Sequence, residues 1–369
     1  MNAQENSDFL TQQIITYIGN KRTLIYDIEA LVADILKKLD KPRCVCADLF
    51  SGSGIVARML KKYSSKLICN DLENYSYVIN SCYLTNKDSF DFDKYNSIRE
   101  KILSEAKENP FPGLLSKFYS PQDENNIKKS DRVFYTKQNA LLIDTYRALI
   151  DKYADEDFKK YFLAPLITEA SIHTNTGGVF KGFYKDRNTG IGSFGGAGKN
   201  ALSRILKDVE LKVPVFSNFN SDIKIYRANT VELSKELSGI DIAYLDPPYN
   251  QHPYGSNYFM LNLILKNEIT APVSKVSGIV SDWNHSEFNK KQLALSSLEE
   301  IIKNLDSKFF IISYNSEGFI SFEEMVSMLS RYGALSTKEI KYNTFRASRN
   351  LASRNIHTKE FLFILEKSK

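Results

Sequence analysis

A short segment of the chain combines one carboxylate with two prolines and an aromatic ring. An apolar run over residues 242–245 is followed by Asp246, Pro247, Pro248 and Tyr249. The run predicts a buried strand that ends at Pro247, because proline has no N–H for a sheet and fixes its own φ. The two prolines would hold a backbone carbonyl and the carboxylate rigidly beside a flat ring. This arrangement suits a planar amine as substrate, and a plain proline turn after a strand is the alternative.

A glycine-rich turn forms a second candidate site. Residues 48–54, Asp-Leu-Phe-Ser-Gly-Ser-Gly, join a predicted strand over 44–50 to a predicted helix over 55–62. Glycines let the backbone approach a ligand closely, and a helix N-terminus offers free N–H groups. Asp71 ends the next predicted strand, where a carboxylate accepts hydrogen bonds from ribose hydroxyls. Together these features indicate an adenosine-containing ligand. The turn alone leaves a nicotinamide enzyme open, since Ala57 satisfies the looser dinucleotide pattern.

The elements that would position these residues begin as a βαβ unit, which implies a parallel sheet and a right-handed crossover. Helical spacing of apolar residues predicts helices over 23–39 and 75–84. Apolar runs predict further strands over 223–226, 242–245, 309–313 and 361–365. Residues 86–220 interrupt this pattern, and we predict that they form an inserted lobe, helical over 131–173.

Composition places the chain among ordinary globular proteins. Its 369 residues are 43% hydrophobic and 25% charged, enough for one large domain and a smaller one. The sequence has no apolar run near the roughly 18 residues of a membrane span, and its N-terminus lacks a secretory pattern. Four scattered cysteines without a C-x-x-C pair favour reduced core thiols in the cytoplasm and no metal site. A net charge of +5 permits nucleic acid as a partner.

Two segments combine basic residues with aromatic ones. Residues 174–200 are also rich in glycine, and residues 338–359 lie between two apolar, strand-like runs that predict a hairpin. We expect basic groups of both segments to contact DNA phosphates, with a solvated surface as the alternative. The predicted nucleic-acid contacts are Lys181, Lys185, Arg187, Lys199, Tyr342, Arg346 and Arg349.

Four stretches of the chain resemble one known family. They are Tyr17-Ile-Gly-Asn-Lys21, the turn over 48–54, Asn70-Asp71 and Asp246-Pro-Pro-Tyr249. In these motifs and in their order, the chain resembles the adenine-specific DNA methyltransferases of the Dam-like (D12) class. The resemblance implies an α/β fold: a Rossmann-like methyltransferase sheet, mostly parallel with an antiparallel C-terminal hairpin. It also implies a catalytic domain over 1–85 and 221–369, with a target-recognition domain inserted at 86–220.

The resemblance implies S-adenosylmethionine as cofactor and places the segment over 17–21 beside its methionine end. Where the family commonly has an acidic residue, this chain has Asn229, whose side-chain oxygen can still accept a hydrogen bond from the cofactor adenine. The expected cofactor-binding residues are Tyr17, Gly19, Asn20, Lys21, Asp48, Phe50, Ser51, Gly52, Gly54, Asp71, Asn229 and Asp246.

The chemistry of an adenine amine explains why these residue types are needed. The lone pair of that nitrogen is delocalised into the ring, which makes it a poor nucleophile. If Asp246 and the Pro247 carbonyl each accept one N–H, the nitrogen can leave the ring plane and attack the sulfonium methyl group. Pro248 stiffens the segment and Tyr249 stacks on the base, so we expect catalysis from residues 246–249. The base must first be flipped out of the duplex.

We therefore expect a site-specific DNA adenine-N6 methyltransferase. An RNA adenine methyltransferase and a catalytically inactive DNA-binding module of the same fold are the alternatives, while a cytosine target fits the Asp246 position less well. The expected partner is double-stranded DNA, with a cognate restriction endonuclease as a further candidate. We expect a monomer on DNA, no membrane association, and a cytoplasmic location with the nucleoid.

Overall fold

The computed structural model of the chain describes residues 4–196, 198–343 and 357–368. Two of the predicted DNA contacts, Arg346 and Arg349, lie outside the described residues. Tyr342 belongs to a strand, but its side chain is also outside the description. In the described part of the chain, no helix is both long and apolar enough to cross a membrane.

A seven-stranded sheet forms the centre of the fold. Its strands are β1 (Cys44–Asp48), β2 (Ser64–Asn70), β3 (Asp222–Tyr226), β4 (Ile240–Leu245), β5 (Ser307–Asn315), β6 (Gly333–Asn343) and β7 (His357–Lys367). The order across the sheet is β3-β2-β1-β4-β5-β7-β6. Strands β1 to β5 run parallel, whereas β7 is antiparallel to both β5 and β6. The predicted fold, a mostly parallel sheet with an antiparallel C-terminal hairpin, is confirmed.

Helices connect and cover the strands. They are α1 (Ser7–Thr11), α2 (Ile25–Leu39), α3 (Ile55–Tyr63), α4 (Asn74–Tyr83), α5 (Phe92–Glu108), α6 (Leu114–Phe118), α7 (Lys137–Tyr153), α8 (Glu156–Ile172), α9 (Leu202–Leu206), α10 (Thr230–Leu233), α11 (Tyr254–Asn257), α12 (Phe259–Lys266), α13 (Lys291–Asn304) and α14 (Phe322–Leu329). Short 3-10 helices occupy Lys21–Leu24, Lys87–Ser89 and Glu287–Asn289.

The central strand β4 is buried on both faces, as expected of a parallel strand between two helical layers. Ile242 and Tyr244 pack in the cluster that contains the apolar residues of α2 and α3. Ala243 and Leu245 belong to the cluster on the opposite face, together with residues of α13 and α14. Because side chains point to alternate faces along a strand, a continuous apolar run provides apolar contacts to the helices on both faces of the sheet. Asp246 is the first residue beyond this run.

The inserted region contains the two long helices that the sequence predicts over 131–173. They are α7 and α8, and α7 begins only at residue 137 because the Thr136 side chain caps it by accepting from Asn139 N. The apolar core of this lobe also includes residues of α4 and α12, which lie outside 86–220. The lobe therefore shares its core with the rest of the molecule, and the boundaries 86 and 220 stay a prediction.

Candidate active site

The carboxyl ends of three neighbouring strands bring three acidic residues to one edge of the sheet. Asp48 ends β1, Asp71 follows β2 and Asp246 follows β4. A cleft opens at this edge. It is lined by Tyr17, Phe50, Asp71, Leu72, Glu73, Asn229, Thr230, Asp246, Pro248, Tyr254, Asn284, Ser286, Glu287, Phe288 and Asn289. The sequence motifs around Tyr17, Phe50, Asp71 and Asp246 thus converge on one cavity.

The glycine turn is held against the wall of this cleft. Gly52 N donates a hydrogen bond of 2.7 Å to Asp71 Oδ2, and the other oxygen of Asp71 accepts from Glu73 N at 2.9 Å. Gly54 precedes α3 with a φ of 76°, and a Cβ there would come within 2.3 Å of Asn80 Oδ1. The turn therefore requires glycine for both its backbone conformation and its close packing. Ser51 is buried behind it, with Oγ donating to Asn70 O.

The segment before the first long helix forms another wall of the cleft. The ring of Tyr17 stacks on Tyr254 and Tyr258, with centroid distances of 5.0 and 4.9 Å. Gly19 follows with a φ of 73° and lies against the rings of Tyr254 and Tyr249. Asn20 caps the next turn, its side-chain oxygen accepting from Arg22 N at 2.8 Å. These contacts turn the chain so that Lys21 points inward.

Lys21 connects Asp246 to a residue of the last strand. Its Nζ lies 2.9 Å from Asp246 Oδ1 and 3.1 Å from Glu360 Oε1, and it donates to Gly19 O at 3.0 Å. Burial lowers the pKa of Lys21, but the charges of Asp246 and Glu360 outweigh burial and hold it well above its ordinary value. The three contacts of Lys21 in the structure are all with residues of the protein. A contact between Lys21 and the cofactor stays a prediction.

Burial also shapes the catalytic candidates of residues 246–249. It raises the pKa of Asp246 to about 6, against the opposing effect of the Lys21 ammonium. The side chain of Asp246 is 21% exposed, towards the cleft. Pro247 is buried and Pro248 lines the cleft, while Tyr249 is half-buried. The segment over 246–249 is therefore partly shielded at the edge of the cleft, and its catalytic role stays a prediction.

Asp48 is buried, and the backbone N–H groups of Phe50 and Ala57 lie beside its carboxylate. Burial raises its pKa well above the ordinary value, the charges of Asp246 and Asp71 add to this effect, and the two N–H groups act to lower the pKa. Burial raises the pKa of Asp71 as well, and that of Glu73 to about 7. A cleft with several buried carboxylates is unfavourable without a cation and is suited to receive one.

Asn229 lines the cleft, but its side chain is already used. Its Oδ1 accepts from Val231 N at 2.8 Å and Glu232 N at 3.4 Å, so it caps α10. Its Nδ2 donates to both carboxylate oxygens of Glu287 at 3.1 Å. The expectation that this oxygen accepts a hydrogen bond from a cofactor adenine stays a prediction, and in the structure the oxygen already accepts from two backbone N–H groups. Glu287 is the acceptor that Asn229 orients beside the cleft.

Sequence reasoning missed several residues of the site. Glu73, Tyr254, Glu287 and Phe288 line the cleft, and Glu360 lies behind Asp246. The rings of Phe288 and Phe50 meet edge to face at 5.2 Å. Glu73 follows the Asn70-Asp71 motif by two residues, which was an available signal. Tyr254 follows the 246–249 motif by five residues, whereas Glu287, Phe288 and Glu360 come from later segments that no motif marks.

The predicted DNA contacts fall on two surfaces. Lys181 lies beside a cavity that shares Ser286 and Asn289 with the cleft, and its Nζ is 3.3 Å from His252 Nδ1. Lys185 and Arg187 line a separate cavity. Lys199 is exposed.

The segment that carries these basic residues is held in place by buried polar groups. A short hairpin pairs Lys185 with Gly192. Asn175 donates to Val133 O and Ser193 O, and Arg204 donates to Thr174 O at 2.9 Å. Because these partners are backbone carbonyls, the segment has a defined path, and its basic side chains are presented from an ordered support.

A Rossmann-like methyltransferase is the class of protein that this sheet order and this cleft define. Open α/β folds bind their ligands at the carboxyl edge of the parallel strands, and Asp246 lies at this edge. The chain belongs to the family of D12 class N6 adenine-specific DNA methyltransferases, whose model matches residues 17–328. The family prediction is confirmed, and so are methyltransferase activity and S-adenosylmethionine as the cofactor.

Similar proteins match nearly the whole chain. A type II methyltransferase, M.NlaIII of Neisseria lactamica, is 30% identical over 96% of this chain and 100% of its own length. The type II methyltransferase M.CviAII of Paramecium bursaria Chlorella virus 1 is 30% identical over 95% of this chain and 98% of its own. Modification methylase StsI of Streptococcus sanguinis is 28% identical over 95% of this chain but only 52% of that protein.

Proposed function

We propose that this chain is a site-specific DNA methyltransferase that transfers a methyl group to the N6 amine of a flipped-out adenine. The observation that carries the proposal is the position of Asp246. Its carboxylate follows β4, lines the cleft and remains 21% exposed, while Lys21 holds one of its oxygens. A carboxylate in this position can accept a hydrogen bond from the N–H of a planar amine that enters from outside. Membership of the D12 class supports adenine as the base.

The residues of the cleft fit S-adenosylmethionine, which supplies an activated methyl group when bound. That molecule is a cation, and the cleft offers Asp71, Glu73 and Asp246 along its wall. The buried carboxyl group of Asp48 ends the neighbouring strand β1. We infer that the glycine turn and Asp71 hold the nucleoside part. Glu287 provides a further carboxylate beside Phe288 and Phe50, whose rings offer an apolar surface.

The protein contributes geometry and electrostatics to the reaction. Asp246 and the backbone carbonyl of Pro247 each accept one N–H of the adenine amine, so the nitrogen becomes pyramidal and recovers its lone pair. Lys21 opposes the effect of burial on Asp246, because its ammonium favours the carboxylate form. Tyr249 stacks on the base, which returns about 1–3 kcal/mol of the cost of flipping. Orientation of the reactants supplies much of the remaining acceleration.

The basic residues near the cleft support duplex DNA as the substrate. Lys181, His252 and Lys290 line the cavity that adjoins the cleft, so phosphates of a bound duplex would lie near the entrance to Asp246. We assign target recognition to the inserted lobe over 86–220, which carries Lys181, Lys185 and Arg187 on its glycine-rich segment. The predictions of a cognate restriction endonuclease, a monomer on DNA and a nucleoid-associated, cytoplasmic location stay predictions.

The proposal is tested by methyl transfer from radiolabelled S-adenosylmethionine to duplex DNA and, in parallel, to ribosomal RNA. We expect label in duplex DNA, recovered as N6-methyladenine after digestion to nucleosides. Label confined to RNA would favour the RNA methyltransferase alternative. Label on cytosine would contradict the assignment of the target base. Absence of methyl transfer together with absence of S-adenosylmethionine binding in calorimetry would indicate the inactive DNA-binding module.

A further inference from the structure

Lys21 is placed so that all three of its ammonium protons have an acceptor within the protein. The acceptors are Asp246 Oδ1 at 2.9 Å, Glu360 Oε1 at 3.1 Å and Gly19 O at 3.0 Å. An ammonium group has three donors, so these contacts define the direction of every N–H. The side chains of Lys21 and Glu360 are 5% and 1% exposed. Solvent therefore has little access to this contact.

Glu360 belongs to β7, and residues of the neighbouring strand β5 hold its carboxylate from the side opposite Lys21. It lies across from Asn315 in the antiparallel register of β7 and β5. Ser313 Oγ donates to Glu360 Oε1 at 2.5 Å, and Asn315 Nδ2 approaches Glu360 Oε2 at 3.4 Å. The oxygen that faces Lys21 is thus held by the sheet itself. Glu360 of β7 in turn helps to set the position of Lys21, and none of the described side chains of β7 lines the cleft.

We infer that Glu360 is a positioning residue for methyl transfer, which acts through Lys21 to hold Asp246 with one oxygen engaged and the other directed to the substrate amine. The inference rests on the proposed function of Asp246. If Lys21 were held by Asp246 alone, its ammonium could move between both carboxylate oxygens and compete with the amine. Glu360 prevents this by binding the same ammonium from the other side.

The charges of Lys21, Asp246 and Glu360 also act on one another, so the inference can be tested through the pH dependence of the reaction. Lys21 favours the ionised form of Asp246, whereas the nearby charge of Glu360 disfavours it. The two neighbours therefore have opposite effects on the pH at which Asp246 becomes protonated. The titratable groups that interact with Asp246 are Lys21, Asp48, Tyr244, Tyr249, Tyr254 and Glu360. The tyrosines stay neutral in the range of the experiment, since burial raises the pKa of each.

The experiment measures the pH dependence of methyl transfer to duplex DNA for the full-length protein and three variants. Glu360→Gln keeps an oxygen for Lys21 and Ser313 but removes a negative charge near Asp246, so the acid limb should move to lower pH. Lys21→Met removes the positive charge, so the acid limb should move to higher pH. Glu360→Ala removes the anchor, and we expect kcat to fall on the order of 10²-fold, as for a small misplacement of a reacting group.

Glu366→Gln, an exposed residue farther along β7 that pairs with Lys38, is the matched control and should leave both rate and profile unchanged. Circular dichroism and thermal unfolding show that each variant is folded. Opposite shifts of the acid limb in Glu360→Gln and Lys21→Met support the inference. Equal or absent shifts in these two variants, or a rate in Glu360→Ala equal to that of the unmodified protein, overturn it. If the unmodified chain itself fails to methylate adenine, the proposed function fails, which is a separate result.

Discussion

The ring of Tyr17 lies against Gly52 so closely that a Cβ on the glycine would come within 2.7 Å of Tyr17 Cε1. Gly52 also has a φ of 50° and donates its N–H to Asp71. Two motifs that are 35 positions apart in the sequence are therefore in direct contact in the wall of the cleft. This contact couples the glycine turn to the N-terminal segment, so a larger side chain at position 52 should displace the ring of Tyr17.

The first prediction concerns this contact. Gly52→Ala should destabilise the protein by about 1–3 kcal/mol more than the backbone strain alone, because the added methyl group overpacks against Tyr17. Gly239→Ala is the matched control, since Gly239 has a φ of 69° and open space around its Cβ position. That control should show only the strain, about 1–2 kcal/mol. Denaturant unfolding of both variants measures the difference, and equal losses would show that Tyr17 does not constrain Gly52.

The second prediction concerns Glu287, the carboxylate that Asn229 holds beside the cleft. Glu287→Ala should weaken S-adenosylmethionine binding roughly tenfold to a hundredfold, the cost of losing one hydrogen bond to a charged group. Glu300→Ala is the control, since Glu300 pairs with Lys235 at 3.1 Å on the surface of α13. Calorimetric titration measures both affinities. Unchanged cofactor affinity in Glu287→Ala would remove this residue from the binding site.

The motifs at the sheet edge were readable from the sequence because their causes are local. An apolar run ended by Pro247 defines where β4 stops, and Gly52 and Gly54 mark a turn with positive φ. Asp71 was found for the same reason, as a carboxylate at the end of a predicted strand. Each of these residues lies within a few positions of the strand that places it, so periodicity and proline chemistry suffice.

Glu287 and Glu360 were not readable because their roles depend on contacts between distant segments. Glu360 reaches Lys21 only after β7 has paired with β5, and the sequence around it suggested a basic surface. The capping contact of Asn229 was missed although a signal existed. An Asn directly before a helical run is a typical N-cap, and capping occupies the oxygen that was expected to bind adenine.

The third prediction concerns protons. The pKa of Asp246 is raised to about 6 and that of Glu73 to about 7, so both carboxyls are partly protonated near neutral pH. A bound cation favours the ionised form and lowers both pKa values. Binding of S-adenosylmethionine should therefore release protons, and its affinity should rise as the pH increases from about 5 to 8.

Calorimetry in buffers of different ionisation enthalpy at pH 6.5 measures this release. Glu73→Gln should reduce the number of protons released, because the group that titrates at about 7 is gone. S-adenosylhomocysteine, whose sulfur is neutral, serves as the comparison ligand and should release fewer protons. A binding enthalpy that is the same in every buffer would contradict the prediction.

The fourth prediction concerns DNA. Lys185→Ala combined with Arg187→Ala should weaken binding to duplexes of any sequence, because phosphate contacts carry no base information. The slope of log affinity against log salt should fall in magnitude by about 2, close to 0.9 for each lost phosphate contact. Lys37→Ala combined with Lys38→Ala, two exposed lysines of α2, removes the same charge elsewhere. If both double variants reduce the slope equally, the glycine-rich segment is not a phosphate-binding surface.

The central claim is that the carboxylate of Asp246 acts on the adenine amine, and the Asp246→Ala variant tests it most directly. Transfer of radiolabelled methyl groups to duplex DNA is measured beside cofactor binding by calorimetry. We predict that the variant still binds S-adenosylmethionine, while its rate of transfer falls by on the order of 10³-fold or more. Methyl transfer at a near-normal rate by Asp246→Ala would contradict the account.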